Sequence, residues 1–161
     1  MNEQDDILDV QFRLENRSAE TIPVSDLAFI YFFFEASDQE PVFVEPVPSP
    51  GNLEVADFEA QFLFVNSDEW GVAVTFPNAT YELAGAGSDT GDIHVDVVMA
   101  QGNETFVHQT DFSWPSENDI LAFGDAYRDN SRTVVCRNVD GSWTQVWGNS
   151  HPEYPNSCRD L

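Results

Sequence analysis

The chain has 161 residues, 42% of them hydrophobic and 13% aromatic, with 13 Phe and 4 Trp; that length fits one domain over 1–161, and so much apolar mass excludes a disordered chain. Six Arg and no Lys stand against 29 Asp plus Glu, giving a net charge of −23. Phosphate backbones and anionic lipid are therefore repelled, and neither nucleic acid nor a membrane surface is expected as a partner. The acids are dispersed along the chain, which reads as a solvated surface or as adaptation to high salt, where screening relieves self-repulsion.

Residues 7–14 (ILDVQFRL) alternate after Ile7, with Leu8, Val10, Phe12 and Leu14 against Asp9, Gln11 and Arg13, the pattern of a half-buried strand. Residues 27–34 (LAFIYFFF) are apolar on both faces and rich in β-formers, so they predict a central strand. Residues 58–65 place Phe58, Ala60, Phe62 and Phe64 on one face, and strands follow at 70–76, 93–99, 133–136 and 143–147. Turn signals separate them: the Pro-rich stretch 46–50, Asn66-Ser67-Asp68, Pro77-Asn78, the stretch 85–91, and Asp140-Gly141, which predicts a tight hairpin between the last two strands. With no window of helical periodicity and Phe at many inward positions, the pattern predicts an all-β antiparallel sandwich. The longest apolar run, Leu27 to Phe34, has eight residues, far short of the ~20 a membrane-spanning helix needs. The opening residues 1–6 have no signal-peptide character, so a secreted protein is expected to appear here as a mature fragment with an added Met.

Catalytic patterns are absent: there is no HExxH, GxSxG or P-loop. GAGSDTG at 85–91 has the spacing GxGxxxG rather than that of a dinucleotide loop, and reads as an inter-strand loop. His94, His108 and His151 are far apart in sequence, and His94 alternates with Val95 on a strand, facing solvent or a groove. Among so many acids, a carboxylate pair carries no information about glycoside hydrolysis. Asn16, Asn78 and Asn103 lie in Asn-x-Ser/Thr sequons, which matter only in a glycosylating host. Cys136 and Cys158 suggest one disulfide stapling the C-terminal tail to a strand, worth roughly 3 kcal/mol by chain entropy, with two free thiols as the alternative. Trp114 and Trp147 read as core, while Trp143, after a turn, and Tyr154, in the tail, are the best candidates for stacking on sugar rings.

The order of several segments is similar to that of the family 3 carbohydrate-binding modules. DFSW at 111–114 resembles that family's Asp-Tyr-Ser-Phe run; TVVC, Asp140-Gly141 and Val146-Trp147-Gly148 resemble its final hairpin and Val-Trp-Gly ending, followed by a Pro-containing tail, HPEYP at 151–155. VQFRLEN at 10–16 resembles its opening strand, and VSDLAFIYFFF at 24–34 its Leu-Ser-Asp-Leu segment leading into a Tyr-rich strand. The resemblance implies an antiparallel jelly-roll β-sandwich of about nine strands, a non-catalytic role in polysaccharide binding (cellulose, chitin or a related glucan), and an extracellular or cell-surface setting. It implies a monomer, with neighbouring domains of a larger secreted protein as further partners. It also implies a flat strip of aromatic and polar side chains for cellulose. Aligned to that strip, Asn103 takes the place of its Trp, Val97 of its Arg and Pro46 of its His, while Glu45 stands where the strip has Asp. The strip is thus largely dismantled, and the alternative to sugar binding is a scaffold or protein-interaction sandwich. A structural Ca2+ is also implied, with Thr110 and Asp111 at ligand positions and Asp38 displaced by about two residues in the partner loop.

Overall fold

The computed structural model describes residues 3–4, 7–34, 42–43, 47–48, 53–98 and 132–161. Its strands in chain order are β1 (Glu3–Gln4), β2 (Ile7–Phe12), β3 (Glu15–Asn16), β4 (Ile22–Pro23), β5 (Leu27–Phe34), β6 (Val42–Phe43), β7 (Val47–Pro48), β8 (Glu59–Phe64), β9 (Glu69–Thr75), β10 (Glu82–Leu83), β11 (Ser88–Asp89), β12 (Ile93–Val98), β13 (Val134–Val139) and β14 (Ser142–Trp147). Helical structure among the described residues is confined to short 3-10 turns, and no helix there is long and apolar enough to cross a membrane.

Two antiparallel sheets carry the fold. The larger runs β14-β13-β5-β9-β8; in the smaller, β2 and β12 are flanked by β1 on one side and by β6 and β7 on the other. The eight-residue apolar run is the middle strand of the larger sheet, as its sequence predicts. Alternation splits its side chains cleanly. Leu27, Phe29, Tyr31 and Phe33 join Val10, Phe12, Val72, Val74, Ile93, Val95 and Val97 in the cluster between the sheets. The rings of Phe12 and Phe29 stack across that gap with centroids 3.9 Å apart. Ala28, Ile30 and Phe32 point the other way and build a second cluster with Leu63, Ala73, Val134, Cys136 and Cys158. Both faces of this sheet are therefore apolar, which is why the strand carries no polar residue at all.

Two glycines are required by close approach. A Cβ on Gly71 would lie 3.1 Å from the Phe32 ring, so the bare backbone there makes room for that ring on the outer face. Gly148 has φ +89°, and a Cβ would lie 1.8 Å from the Thr133 carbonyl oxygen; only glycine lets the chain leave β14 and fold back as a tail. Asp140 and Gly141 both have positive φ, 53° and 84°, and Val139 pairs with Ser142 across them, the two-residue hairpin that the Asp-Gly pair predicts.

The stretch 85–91 is neither a phosphate cradle nor a free loop. It makes a turn followed by β11, which pairs with β3. The amide of Asn16 locks it: Nδ2 donates to the carbonyls of Glu20 at 2.7 Å, Leu83 at 3.0 Å and Ala84 at 3.2 Å, and Oδ1 accepts from Ser18 N–H and Oγ. Asn16 is buried, so its sequon is a structural coincidence and not a glycosylation acceptor. Asn78 is hydrogen-bonded to the Ala56 carbonyl on an exposed turn, and Asn103 lies outside the described residues.

Candidate functional site

Two surfaces bear on function: the outward face of the smaller sheet and the outer face of the larger one. On the smaller sheet, Val10 and Phe12 pair with Val95 and Ile93 on the inward side, while Gln11 pairs with His94 on the outward side. The outward side chains described there are thus Gln11, Arg13, His94 and Asp96, a polar set in which Arg13 approaches Asp89 at 3.8 Å. Val97, aligned above with an arginine of the cellulose strip, is fully buried between the sheets. Strand parity puts it on the wrong face for a ligand strip, and His94 and Asp96 are the outward positions of that strand. Glu45 and Asn103, the other strip positions, and Asp38, Thr110 and Asp111, the expected calcium ligands, lie outside the described residues, as do Trp114 and His108.

The outer face of the larger sheet is closed by the chain's own C-terminal tail, residues 149–161. Cys136 on β13 is bonded to Cys158, with Cα atoms 5.7 Å apart, so the staple expected from the two cysteines is formed. His151 is buried on this face. Its ring packs on Phe32 with centroids 4.8 Å apart, its Nδ1 accepts the Glu153 N–H at 3.2 Å, and Nε2–H therefore donates to Glu69 Oε1 at 2.9 Å. Nothing in the sequence separates His151 from a surface histidine, because Glu69 and Phe32 reach it only through the fold.

Trp143 and Tyr154 are brought to the same cluster as partly buried rings packed on it. Tyr154 meets Phe32 edge-on at 6.4 Å and donates its hydroxyl to Asp160. Burial, the hydrogen bond and the Asp160 charge together push the Tyr154 hydroxyl up to about 12. Trp147 departs from its core expectation: it is 43% exposed. It ends the edge strand β14 just after an irregularity in the pairing with β13, where a ring has sheet on one side only. Phe64 shares the face of Phe62 yet is 61% exposed, because it ends the opposite edge strand, β8, with Trp70 packed edge-on at 5.3 Å. Among the described residues, no group of three His, Cys, Asp or Glu is arranged to hold a metal ion.

The described residues thus form an antiparallel two-sheet sandwich with polar outward residues on one sheet and the C-terminal tail packed on the other. Neither a family model nor a curated protein sequence matches the chain, but solved structures do. A carbohydrate-binding module, CBM3b, from the cellulosomal cellobiohydrolase 9A of Clostridium thermocellum superposes with a TM-score of 0.67 at 17% identity, covering 92% of this chain and 90% of that one. Biomass-sensing modules from RsgI-like proteins of the same organism, described as resembling the family 3 module of the cellulosome, give 0.69 at 16% identity over 94% and 93%. The CBM3a module with flanking linkers from a cellulosome scaffoldin of that organism gives 0.66 at 16% over 96% and 87%. The chain has the fold of the family 3 carbohydrate-binding modules.

Proposed function

We propose that this chain is a non-catalytic polysaccharide-binding module of a secreted protein, taking cellulose, chitin or a related glucan. The observation that carries the reading is the match of fold over nine-tenths of the chain to carbohydrate-binding modules. A disulfide suits an oxidising, extracellular compartment. In this reading the ligand lies on the outward face of the smaller sheet, beside Gln11, Arg13, His94 and Asp96; Glu45 and Asn103 are candidates from the resemblance alone, and Trp143 on β14 and Tyr154 in the tail are the stacking candidates. The module is monomeric and works beside other domains of its parent. Pull-down against cellulose, chitin and xylan, with affinity electrophoresis in soluble glucans, tests it: retention on at least one polymer is expected, and retention on none overturns it.

The scaffold reading is favoured by one observation: the outward side chains described on the smaller sheet are polar and include no Phe, Tyr or Trp, whereas flat sugar crystals are held by flat rings. A module that fails every polymer yet binds a neighbouring domain would establish it. A structural Ca2+ held by Asp38, Thr110 and Asp111 belongs to the same proposal. Millimolar calcium should raise the melting temperature more than magnesium at equal ionic strength. Equal melts, or a calcium shift that survives Asp111→Ala, would count against these ligands.

A further inference from the structure

The outer face of the larger sheet is as dry as the inter-sheet core: Ala28, Ile30, Phe32, Ala73 and Val134 are each 0% exposed. Among the described residues, what packs over them is not a second sheet but the C-terminal tail, 149–161, with the side chains of Val65 and Trp143 beside it. Among the described residues, the backbone–backbone hydrogen bonds of this tail close on the tail itself: Tyr154 N–H to His151 O at 3.1 Å, Arg159 N–H to Asn156 O at 2.9 Å and Leu161 N–H to Cys158 O at 3.4 Å. Its links to the sheet and its loops are made by side chains. His151 donates to Glu69, Asn66 donates to Glu153 at 2.6 Å, and Gln61 donates to the Asp160 carbonyl at 3.3 Å. One link is covalent, the Cys136–Cys158 bond. The non-covalent fit has a flaw: Ser157 is 1% exposed, and its hydroxyl has no hydrogen-bond partner, which penalises the closed tail.

From these observations we infer that residues 149–161 are a latched cover: the Cys136–Cys158 bond is what keeps the tail on an otherwise apolar face, and its reduction releases the tail while the sandwich stays folded. The inference is independent of the ligand proposed above. Reduction requires a small dithiol. One of its thiolates attacks a cystine sulfur, giving a mixed disulfide. Its second thiolate then closes the reductant's own disulfide, so that two electrons and two protons pass to Cys136 and Cys158 as free thiols. Cys136 is 0% and Cys158 4% exposed, so the reductant reaches the bond only when the tail opens locally. His151 is the most buried of the side chains that oppose this opening, through Phe32 and Glu69. The latch is thus slow to open while the histidine holds and reversible once the thiols are reoxidised.

The test is hydrogen exchange read by mass spectrometry on the full chain, oxidised, reduced with dithiothreitol and reoxidised. On reduction, exchange should rise at least tenfold in 149–161 and at the exposed edge of β14, while β5, β9 and β12 keep their protection; reoxidation should restore the tail. Cys136→Ala with Cys158→Ala should match the reduced form. In the oxidised background, His151→Ala should speed thiol release by dithiothreitol several-fold, with no change in protection of β12. Loss of protection throughout the chain on reduction would overturn the inference, because the bond would then be a staple for the whole fold. An unchanged tail after reduction would overturn it equally, because the side chains alone would hold the cover.

Discussion

The two faces of β5 reach the same dryness by different means. On the inner face, Phe29, Tyr31 and Phe33 meet a second sheet whose own alternation supplies Val10, Phe12, Val95 and Val97. Regular structure meets regular structure, and each layer satisfies its backbone through its own ladder. On the outer face, Ile30 and Phe32 meet an irregular tail whose backbone bonds close locally and whose grip depends on a histidine, a tyrosine and a disulfide. The inner contact is distributed over several strands, whereas the outer one is concentrated in a few anchors. Comparable burial can therefore coexist with very different resistance to local opening.

The sharpest way to break this comparison is to truncate one ring on each face. Phe32 and Phe33 are neighbours in sequence, and both are 0% exposed. If the outer face is true core, Phe32→Ala and Phe33→Ala should each cost roughly 3–5 kcal/mol in denaturant unfolding. A loss within about 0.5 kcal/mol for Phe32→Ala, the range of an ordinary surface change, would show that the tail shelters the ring without packing on it.

Salt acts on both faces together and should have a smaller effect. The net charge of −23 is more crowded in the folded state than in the expanded chain. Raising sodium chloride from about 0.01 M to 1 M shortens the Debye length from ~30 Å to ~3 Å, so the melting temperature should climb by several degrees over that range. A flat or falling profile would mean that the surface carboxylates are already compensated by local contacts.

The smallest effect is silent at neutral pH and belongs to the tail alone. Tyr154 is held protonated up to about 12, chiefly by burial and then by its bond to Asp160 and that carboxylate's charge, against about 10 in an unfolded chain. A raised folded value stabilises the protein fully below pH 10, and that contribution is lost as pH rises from about 10 to 12. The tail should therefore loosen in that window, seen as faster dithiothreitol reduction. Tyr154→Phe should remove this part of the alkaline dependence; an identical alkaline profile in the variant would assign the effect to another group.

Much of this architecture is legible in the sequence, because strand alternation and turn chemistry act over short range. The pattern of 7–14 marks a half-buried strand, and the run 27–34 a strand buried on both faces. Asp140-Gly141 marks a two-residue turn, and two cysteines mark a staple. Each is decided by residues within one element, or by a pairing with a single possible partner. The order of segments was enough to suggest the family whose fold the chain has.

The tertiary structure alone decided what lies opposite each face. Alternation puts Ala28, Ile30 and Phe32 together but does not say that a tail will cover them. Gln61 and Asp160 meet across a separation of 99 residues, and Asn66 and Glu153 across 87, distances over which local propensity has no influence. The same limit explains the two displaced tryptophan and valine readings. Trp147 lies open because β14 is an edge strand, and Val97 lies buried because its register with β2 turns it inward. Edge, register and cover are properties of how layers assemble, set by which surfaces remain to be buried once the strands have formed.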